Sequence, residues 1–233
     1  MVNIEEMGIL AKEASYKTAK MSTPEKNDIL LKCAAALIEN MDKVLAANKK
    51  DVDAAIEKGI TGALIDRLTL TDSRIEGMAD GLRQVAGLKD PVGEFDSMTT
   101  LDNGLIVGKK RVPMGVIGII YEARPNVTAD AFGLCLKAGS AVILRGGKEA
   151  ILSNMATVSI FREVLKENGL DENIVQLVED TSHETAEKMM KLNGLIDVLI
   201  PRGGAGLIRT VVMNSTVPVI GWPGRAATLS RTG

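Results

Sequence analysis

At 233 residues, with 45% hydrophobic and 25% charged residues, the chain can form one large domain or two small ones around a real core. A formal net charge of -2 argues against a general nucleic-acid binder, which carries a basic excess. Two cysteines, Cys33 and Cys135, make no disulfide framework and point to a reducing cytoplasm, while a single histidine, His183, argues against His-based metal sites and Ser-His-Asp chemistry. The start, MVNIEEMGIL, has neither the basic nor the long apolar segment of a signal peptide. No apolar run reaches the roughly 20 residues that span a bilayer, so no membrane association is expected.

Residues 1–90 read as helical. Ile9, Leu10, Ala14 and Ala19 form a loose helical stripe. Ser22-Thr23-Pro24-Glu25 is a start signal, with a capping hydroxyl and a proline in the first turn. Ile29, Leu30, Ala34, Leu37 and Ile38 then recur at helical spacing, and Cys33 beside them reads as a small buried residue. Ser73-Arg74-Ile75-Glu76 reads as a second capping box, opening a helix to about Ala86. Charges alternating from Lys43 to Lys58 read as a solvated helix face. Asp90-Pro91-Val92-Gly93 ends the helical region. Asn103-Gly104, between 98–101 and 105–107, predicts a β-hairpin with positive φ at both turn positions. Such an arm is either an oligomer contact or an ordinary intramolecular hairpin.

From Arg111 onward strands alternate with helices. Strands are expected at 115–121, 141–144, 174–178, 196–200 and 217–220, and helices at 128–138, 149–167, 184–192 and 204–213. Gly169 is placed to stop the second of these helices and Thr181-x-x-Glu184 to cap the third. The rhythm is that of an α/β fold: a parallel sheet with helices on both faces, right-handed crossovers, and ligands beyond the carboxyl ends of the strands.

Two polar loops fall at those ends. Glu122-Ala123-Arg124-Pro125-Asn126 sets hydrogen-bonding groups around a rigid proline, as a functional or a purely structural loop would. Arg145-Gly146-Gly147-Lys148 joins two cations to a flexible backbone just before a helix, an arrangement that favours phosphate. It is no Walker A loop, because Val142 stands where the first glycine would and Glu149 where Ser or Thr would. Pro201-Arg202-Gly203-Gly204-Ala205-Gly206 repeats the device, and no G-x-G-x-x-G occurs. Two Arg-Gly-Gly turns after strands of one sheet point to a phosphate-rich ligand such as a dinucleotide. Gly115 and Gly118, inside the first strand, mark close approach of either a ligand or a packed helix. Cys135, in AFGLCLKAG with no adjacent histidine, reads as a core residue rather than a nucleophile, and His183 as a capping or solvated residue.

YEARPN and LRGGKEA, within residues 103–150, and LIPRGGAGLIRTV at 199–211 resemble the gamma-glutamyl phosphate reductase family of the aldehyde dehydrogenase superfamily, and the likeness runs over about residues 5–220. The resemblance implies an N-terminal helical segment (1–95) packed on the cofactor domain, a hairpin arm (96–112), a Rossmann-like NADP-binding domain (113–220) and an aberrant tail (221–233). It implies cytoplasmic, NADPH-dependent reduction of L-glutamyl 5-phosphate to L-glutamate 5-semialdehyde and phosphate in proline biosynthesis. It implies an NADP(H) site lined by Glu122, Ala123, Arg124, Pro125, Arg145, Gly146, Gly147, Lys148, Arg202, Gly203 and Gly204, with Lys148 or Arg145 on the adenosine 2′-phosphate. Asn126 or Arg124 would reach towards the substrate. It also implies a cysteine thiolate that attacks the acyl phosphate, expels phosphate and forms a thioester for hydride to reduce. In the family that cysteine lies in a separate domain beyond this chain's last residue, so no catalytic residue is expected here. Where relatives continue with Glu-Thr-Gly, this chain reads GWPGRAATLSRTG, through a frameshift near codon 221 or as a genuine short variant. The alternatives are a catalytically silent NADP-binding or assembly module and a different acylating aldehyde dehydrogenase.

Overall fold

The computed structural model describes residues 3–221, and the expectations for the tail from 222 onward lie outside the described residues. Five helices come first: α1 (Ile4–Thr18), α2 (Thr23–Glu39), α3 (Met41–Glu57), α4 (Ala63–Leu68) and α5 (Asp72–Gly87). An antiparallel hairpin follows, β1 (Phe95–Thr100) and β2 (Ile106–Lys110). The remainder alternates as β3 (Val116–Tyr121), α6 (Asn126–Lys137), β4 (Ala141–Arg145), α7 (Ile151–Glu167), β5 (Val175–Leu177), α8 (His183–Met189), β6 (Val198–Arg202) and α9 (Ala205–Asn214). The expected α/β architecture is therefore present.

The four later strands form one parallel sheet in the order β5-β4-β3-β6. The chain steps outward from β3 to β5, then returns to lay β6 on the other side of β3. The strand order thus reverses between β3 and β6. The fifth strand expected at 217–220 is reduced to a single bridge between Leu199 and Val219. Pro218 offers no N–H, so it only accepts from Leu199 N (2.8 Å), and Val217 N turns away to Met190 O.

Alternation along the strands sorts the core into two layers. Ile117, Ile119, Tyr121, Val142 and Leu144 pack with α2, α5, α6 and α7, where Phe132 and Phe161 stack at 4.7 Å between ring centroids. Val116, Ile120, Ile143 and Leu199 face the other way, onto α1, α8 and α9. The first helix therefore covers a different face of the sheet from the helices that follow it. Gln176 Nε2 donates to Met7 O (2.8 Å), and Lys12 Nζ pairs with Asp197 (2.7 Å), fixing α1 in place. On the opposite face Lys26 is almost wholly buried, paired with Asp90 (2.5 Å) and donating to Lys137 O (3.2 Å).

The local signals hold with small shifts. Ser22 and Glu25 form the expected capping box on α2. The cap of α5 is Thr71, not Ser73: its hydroxyl accepts from Arg74 N, while the Arg74 side chain donates to Thr69 O (2.6 Å) and Asp66 (2.8 Å) and draws the helix entry two residues back. The cap of α8 is Ser182, not Thr181, because Asp180 organises the turn by accepting from Ser182 N (2.9 Å) and Thr185 Oγ1 (2.5 Å). Gly169 stops α7 at φ +70 as expected. In the hairpin, Gly104 N donates to Leu101 O (2.8 Å). The central turn residues are therefore Asp102 and Asn103 rather than the Asn-Gly pair, and Gly104 follows them in the left-handed position, at φ +81. Gly115 precedes β3 instead of lying in it, at φ +101, and a Cβ there would land on the Asp197 carboxylate. A Cβ on Gly118 would sit 2.5 Å from Leu199 Cδ2 and 2.9 Å from Met189 Cε, so close side-chain packing accounts for that glycine. No helix among the described residues is long and apolar enough to cross a membrane.

Candidate functional site

The loops that leave β3, β4 and β6 meet at the carboxyl edge of the sheet, at the point where the strand order reverses. Glu122 N donates to Arg202 O (3.4 Å), and Glu122 Oε1 accepts from Gly204 N (2.8 Å). A Cβ on Gly203 would strike the Glu122 side chain at 2.7 Å, and one on Gly147 would come within 2.9 Å of Ala123 N. Gly147 thus lets its loop meet the 122–123 backbone, and Gly203 leaves room for the Glu122 side chain. Helix α9 starts on this rim with Gly204 as its N-cap and no side-chain cap, so its first amides have no intrahelical partner. Lys148 and Arg202 are exposed at the same edge, and neither enters an ion pair among the described residues.

The start of α7 is arranged differently from what the sequence suggests. The turn 145–148 was expected to offer phosphate its amides, helix end and two cations. Instead Asp51 of α3 is 5% exposed and already seated on the first turn of α7, accepting from Leu152 N (3.2 Å), Ser153 N (2.8 Å) and Ser153 Oγ (2.6 Å). A buried carboxylate holds the position an anion would take. Burial pushes the Asp51 carboxyl above the usual carboxylate range, against the pull of the Ser153 and Leu152 donors. Asn48, one turn earlier, donates to Leu68 O (2.9 Å) and accepts from Leu70 N (2.7 Å). The stretch that read as a solvated charged face thus buries Asn48 and Asp51, together with Val44 and Ala55. The spacing 44, 48, 51, 55 is helical, and that stripe was the available signal.

Arg145 is also committed. Its Nη2 donates to Thr181 O (2.7 Å) and Ser182 O (3.3 Å), bracing the loop before α8, and burial lowers its pKa. Gly146 is needed for space: a Cβ would meet the Asn154 amide and, at 3.1 Å, the Tyr121 ring. Tyr121 and Thr128 share a hydrogen bond (2.7 Å), and Thr128 donates to Asn154 Oδ1 (2.9 Å), while Asn154 Nδ2 is buried there with no partner among the described residues.

Beyond Glu122 the chain passes Ala123 and the exposed Arg124 to Pro125, which is buried and N-caps α6, and then to Asn126 at that helix's first position. Arg124 and Asn126 border a cleft of about 660 Å³ against α4 and α5. The sequence-predicted site residues thus divide between the rim and this cleft. Both cysteines are buried, with their thiols pushed up by desolvation, Cys135 to about 12, and neither is placed to act as a nucleophile. His183 opens α8 at the surface.

A parallel sheet that reverses its strand order, with polar glycine loops and a free helix start at the reversal, defines a nucleotide-binding class of α/β protein. The chain belongs to the aldehyde dehydrogenase family, whose model matches residues 2–211. It is 60% identical over 213 residues to a gamma-glutamyl phosphate reductase of Clostridium botulinum, a match covering 91% of this chain and 51% of that protein. The crystal structure of gamma-glutamyl phosphate reductase from Thermotoga maritima superposes with a TM-score of 0.91 at 42% identity, over 94% of this chain and 53% of that one. The Saccharomyces cerevisiae gamma-glutamyl phosphate reductase structure gives 0.85 at 30% identity, over 97% of this chain and 57% of that one. The chain spans about half the length of the curated relatives it matches.

Proposed function

We propose that this chain is the nucleotide-binding part of an NADP-dependent glutamate-5-semialdehyde dehydrogenase, which reduces L-glutamyl 5-phosphate in the cytoplasm as a step of proline biosynthesis. The observation that carries the reading is the convergence of Glu122, Arg202–Gly204 and the uncapped start of α9 at the strand-order reversal, in a chain 60% identical to a gamma-glutamyl phosphate reductase. Residues 113–220 are its NADP-binding domain, with 1–95 packed on it and 96–112 as an arm. The residues present suit the group. Free amides at 205–207 and the Arg202 side chain are available to the diphosphate, and Gly203 and Gly204 keep that approach open. Lys148, exposed and without an ion-pair partner among the described residues, is the better candidate for the 2′-phosphate, because Arg145 already holds the 181–182 carbonyls. Bound NADPH supplies a hydride. The chain's own residues hold it at the sheet edge and offer Arg124 and Asn126 towards the substrate. The arm exposes Phe95, Met98 and Ile106, and we assign it to contact between copies of the chain.

A second reading is favoured by the burial of Cys33 and Cys135: a module that binds NADP without turning it over. Fluorescence titration of the 233-residue chain tests the binding both readings share. NADPH should bind about tenfold more tightly than NADH, and Lys148→Ala should abolish that preference while leaving NADH affinity unchanged, a difference of about 1.4 kcal/mol. A folded chain with no affinity for NADPH would overturn both. Turnover of glutamyl phosphate by the chain alone would exclude the silent module.

A further inference from the structure

The cleft of about 660 Å³ beside the nucleotide rim lies between α4–α5 and the start of α6. Its walls carry Arg67, Arg74, Met78, Arg124, Asn126 and Asp130. Asn126 and Asp130 stand one turn apart on α6, on the side that meets α5. On the α5 wall the space beside Gly77 is open, and α5 approaches Asp130 closely enough that a Cβ on Gly81 would touch its Oδ1 at 3.4 Å. Arg74 is neutralised by Asp66 (2.8 Å). Arg67, Arg124 and Asp130 form no ion pair among the described residues. The cleft therefore presents two guanidiniums outside any ion pair and one carboxylate that Asn126 hydrogen-bonds and Arg202 attracts without pairing.

That charge pattern selects among ligands. A phosphate or a plain dicarboxylate would satisfy the arginines but face Asp130 with like charge. A simple amine would satisfy Asp130 and leave the arginines unmatched. A zwitterionic α-amino acid carries both complements on one carbon, and a bidentate guanidinium–carboxylate contact is a strong way to hold one of them. We propose that this cleft holds the α-amino-acid head of the substrate, Asp130 receiving the α-ammonium and Arg67 and Arg124 the α-carboxylate. The assignment rests on the glutamyl phosphate reading above. Arg124 and Asn126 follow directly on the rim residue Glu122, so a glutamyl group seated here extends its reacting end towards the nucleotide edge. Desolvation pushes the Asp130 carboxyl above the usual carboxylate range against the pull of Arg202 and Asn126, although the residue keeps contact with solvent, and an incoming ammonium would restore the charged form. The volume is that of a small-molecule site.

The experiment is a binding comparison by NMR titration on the full chain, with L-glutamate as the probe and glutarate, 4-aminobutyrate and inorganic phosphate beside it. L-Glutamate should bind at least tenfold more tightly than glutarate, which lacks the ammonium, and than 4-aminobutyrate, which lacks the α-carboxylate. Asp130→Asn should weaken L-glutamate at least tenfold and leave glutarate unchanged. Arg67→Gln with Arg124→Gln should weaken L-glutamate and glutarate together. Absence of L-glutamate binding, equal affinity for glutarate, or an unaffected Asp130→Asn variant overturns the assignment. Displacement of L-glutamate by phosphate at equal affinity overturns it too. NADPH titrated into the same samples separates the failures: NADPH bound without L-glutamate sinks this assignment alone, and neither ligand bound by folded chain sinks the reading beneath it.

Discussion

Asp51→Ala is the sharpest test of how α3 holds the start of α7. The Asp51 carboxylate accepts three hydrogen bonds, from Leu152 N, Ser153 N and Ser153 Oγ, where it is 5% exposed. Each such bond is worth about 1 kcal/mol net, and amides left unsatisfied at a buried helix start cost as much again. Against this stands the charge itself, whose desolvation outweighs the donors and raises the carboxyl's pKa. Removing the side chain releases that penalty, so we expect a net loss of about 2 kcal/mol. For a chain of this length that lowers the melting temperature by roughly 4–8 °C. The sign of the pH dependence is an independent check. A carboxyl whose folded pKa lies above its unfolded value binds protons preferentially in the native state. Its favourable contribution is complete below the unfolded pKa, near 3.8, and is lost as pH rises through the raised folded value. Asp51→Asn removes that titration, so the wild-type minus Asn stability difference should shrink as pH rises above 4. Urea unfolding followed by circular dichroism at a series of pH values measures both effects. A loss below about 0.5 kcal/mol on Asp51→Ala, or a wild-type advantage that grows with pH across this window, would refute the reasoning.

Asp90→Asn leaves the Lys26 ammonium buried without its counter-charge and should cost about 3 kcal/mol. Although burial pushes the Asp90 carboxyl up, the hydrogen bonds from Lys26, Thr23 and Val92 outweigh it and hold its pKa below the usual 3.8. Its stabilisation is thus present above that value and lost as pH falls through the folded one, so the variant's acid-unfolding curve should be flatter below pH 4. Gly115→Ala should cost about 3 kcal/mol, from a Cβ forced on a φ of +101 and against Asp197, whereas Gly118→Ala meets the side-chain ends of Leu199, Met189 and Ile196 and should cost about 1–2 kcal/mol; thermal melts that reverse this order would count against the packing argument. Glu122→Gln keeps an acceptor for Gly204 N but removes a negative charge from the proposed diphosphate position, so NADPH affinity should rise severalfold at low salt and less at high salt; a weaker complex would place the diphosphate elsewhere.

The β3-to-α9 half was legible because its apolar runs are short, rich in β-branched residues and separated by helical stretches, a pattern set by neighbours in sequence. What was shifted or missed depends on partners far along the chain. The caps at Thr71 and Ser182 move by one or two residues because Arg74 and Asp180 reorganise the turns with side-chain bonds. Asp51 looked like one more solvated charge because its partners, Leu152 and Ser153, lie 101 and 102 residues away. The cleft was invisible for the same reason: Arg67, Arg124 and Asp130 become neighbours only when α5 packs on α6. Arg124 and Asn126 were singled out from their loop alone, whereas nothing local marks Asp130, a charged residue in a small-residue helix.

The two Arg-Gly-Gly turns show how one sequence device supports two physical outcomes. Both follow a strand of the same sheet and both precede a helix, and flexible glycine was the reason to see phosphate in each. Yet Gly147 has φ −63 and Gly204 φ −66, values any residue adopts, so backbone freedom is not what these positions require. They require the absence of a Cβ, because the three loops press on one another. What separates the turns is the helix start behind each. At α7 a buried carboxylate accepts three hydrogen bonds and is fixed by its own helix, so an incoming anion would have to displace a side chain that cannot leave without exposing orphaned amides. At α9 the carboxylate is Glu122, exposed, on a longer side chain and held by the single Gly204 N–H. A diphosphate can replace that one bond with several from the 205–207 amides and recover the charge interaction from Arg202. The β3–β6 side is therefore the end of the sheet where an anion meets the least competition, and the proposed role of the β4–α7 turn reduces to the exposed Lys148.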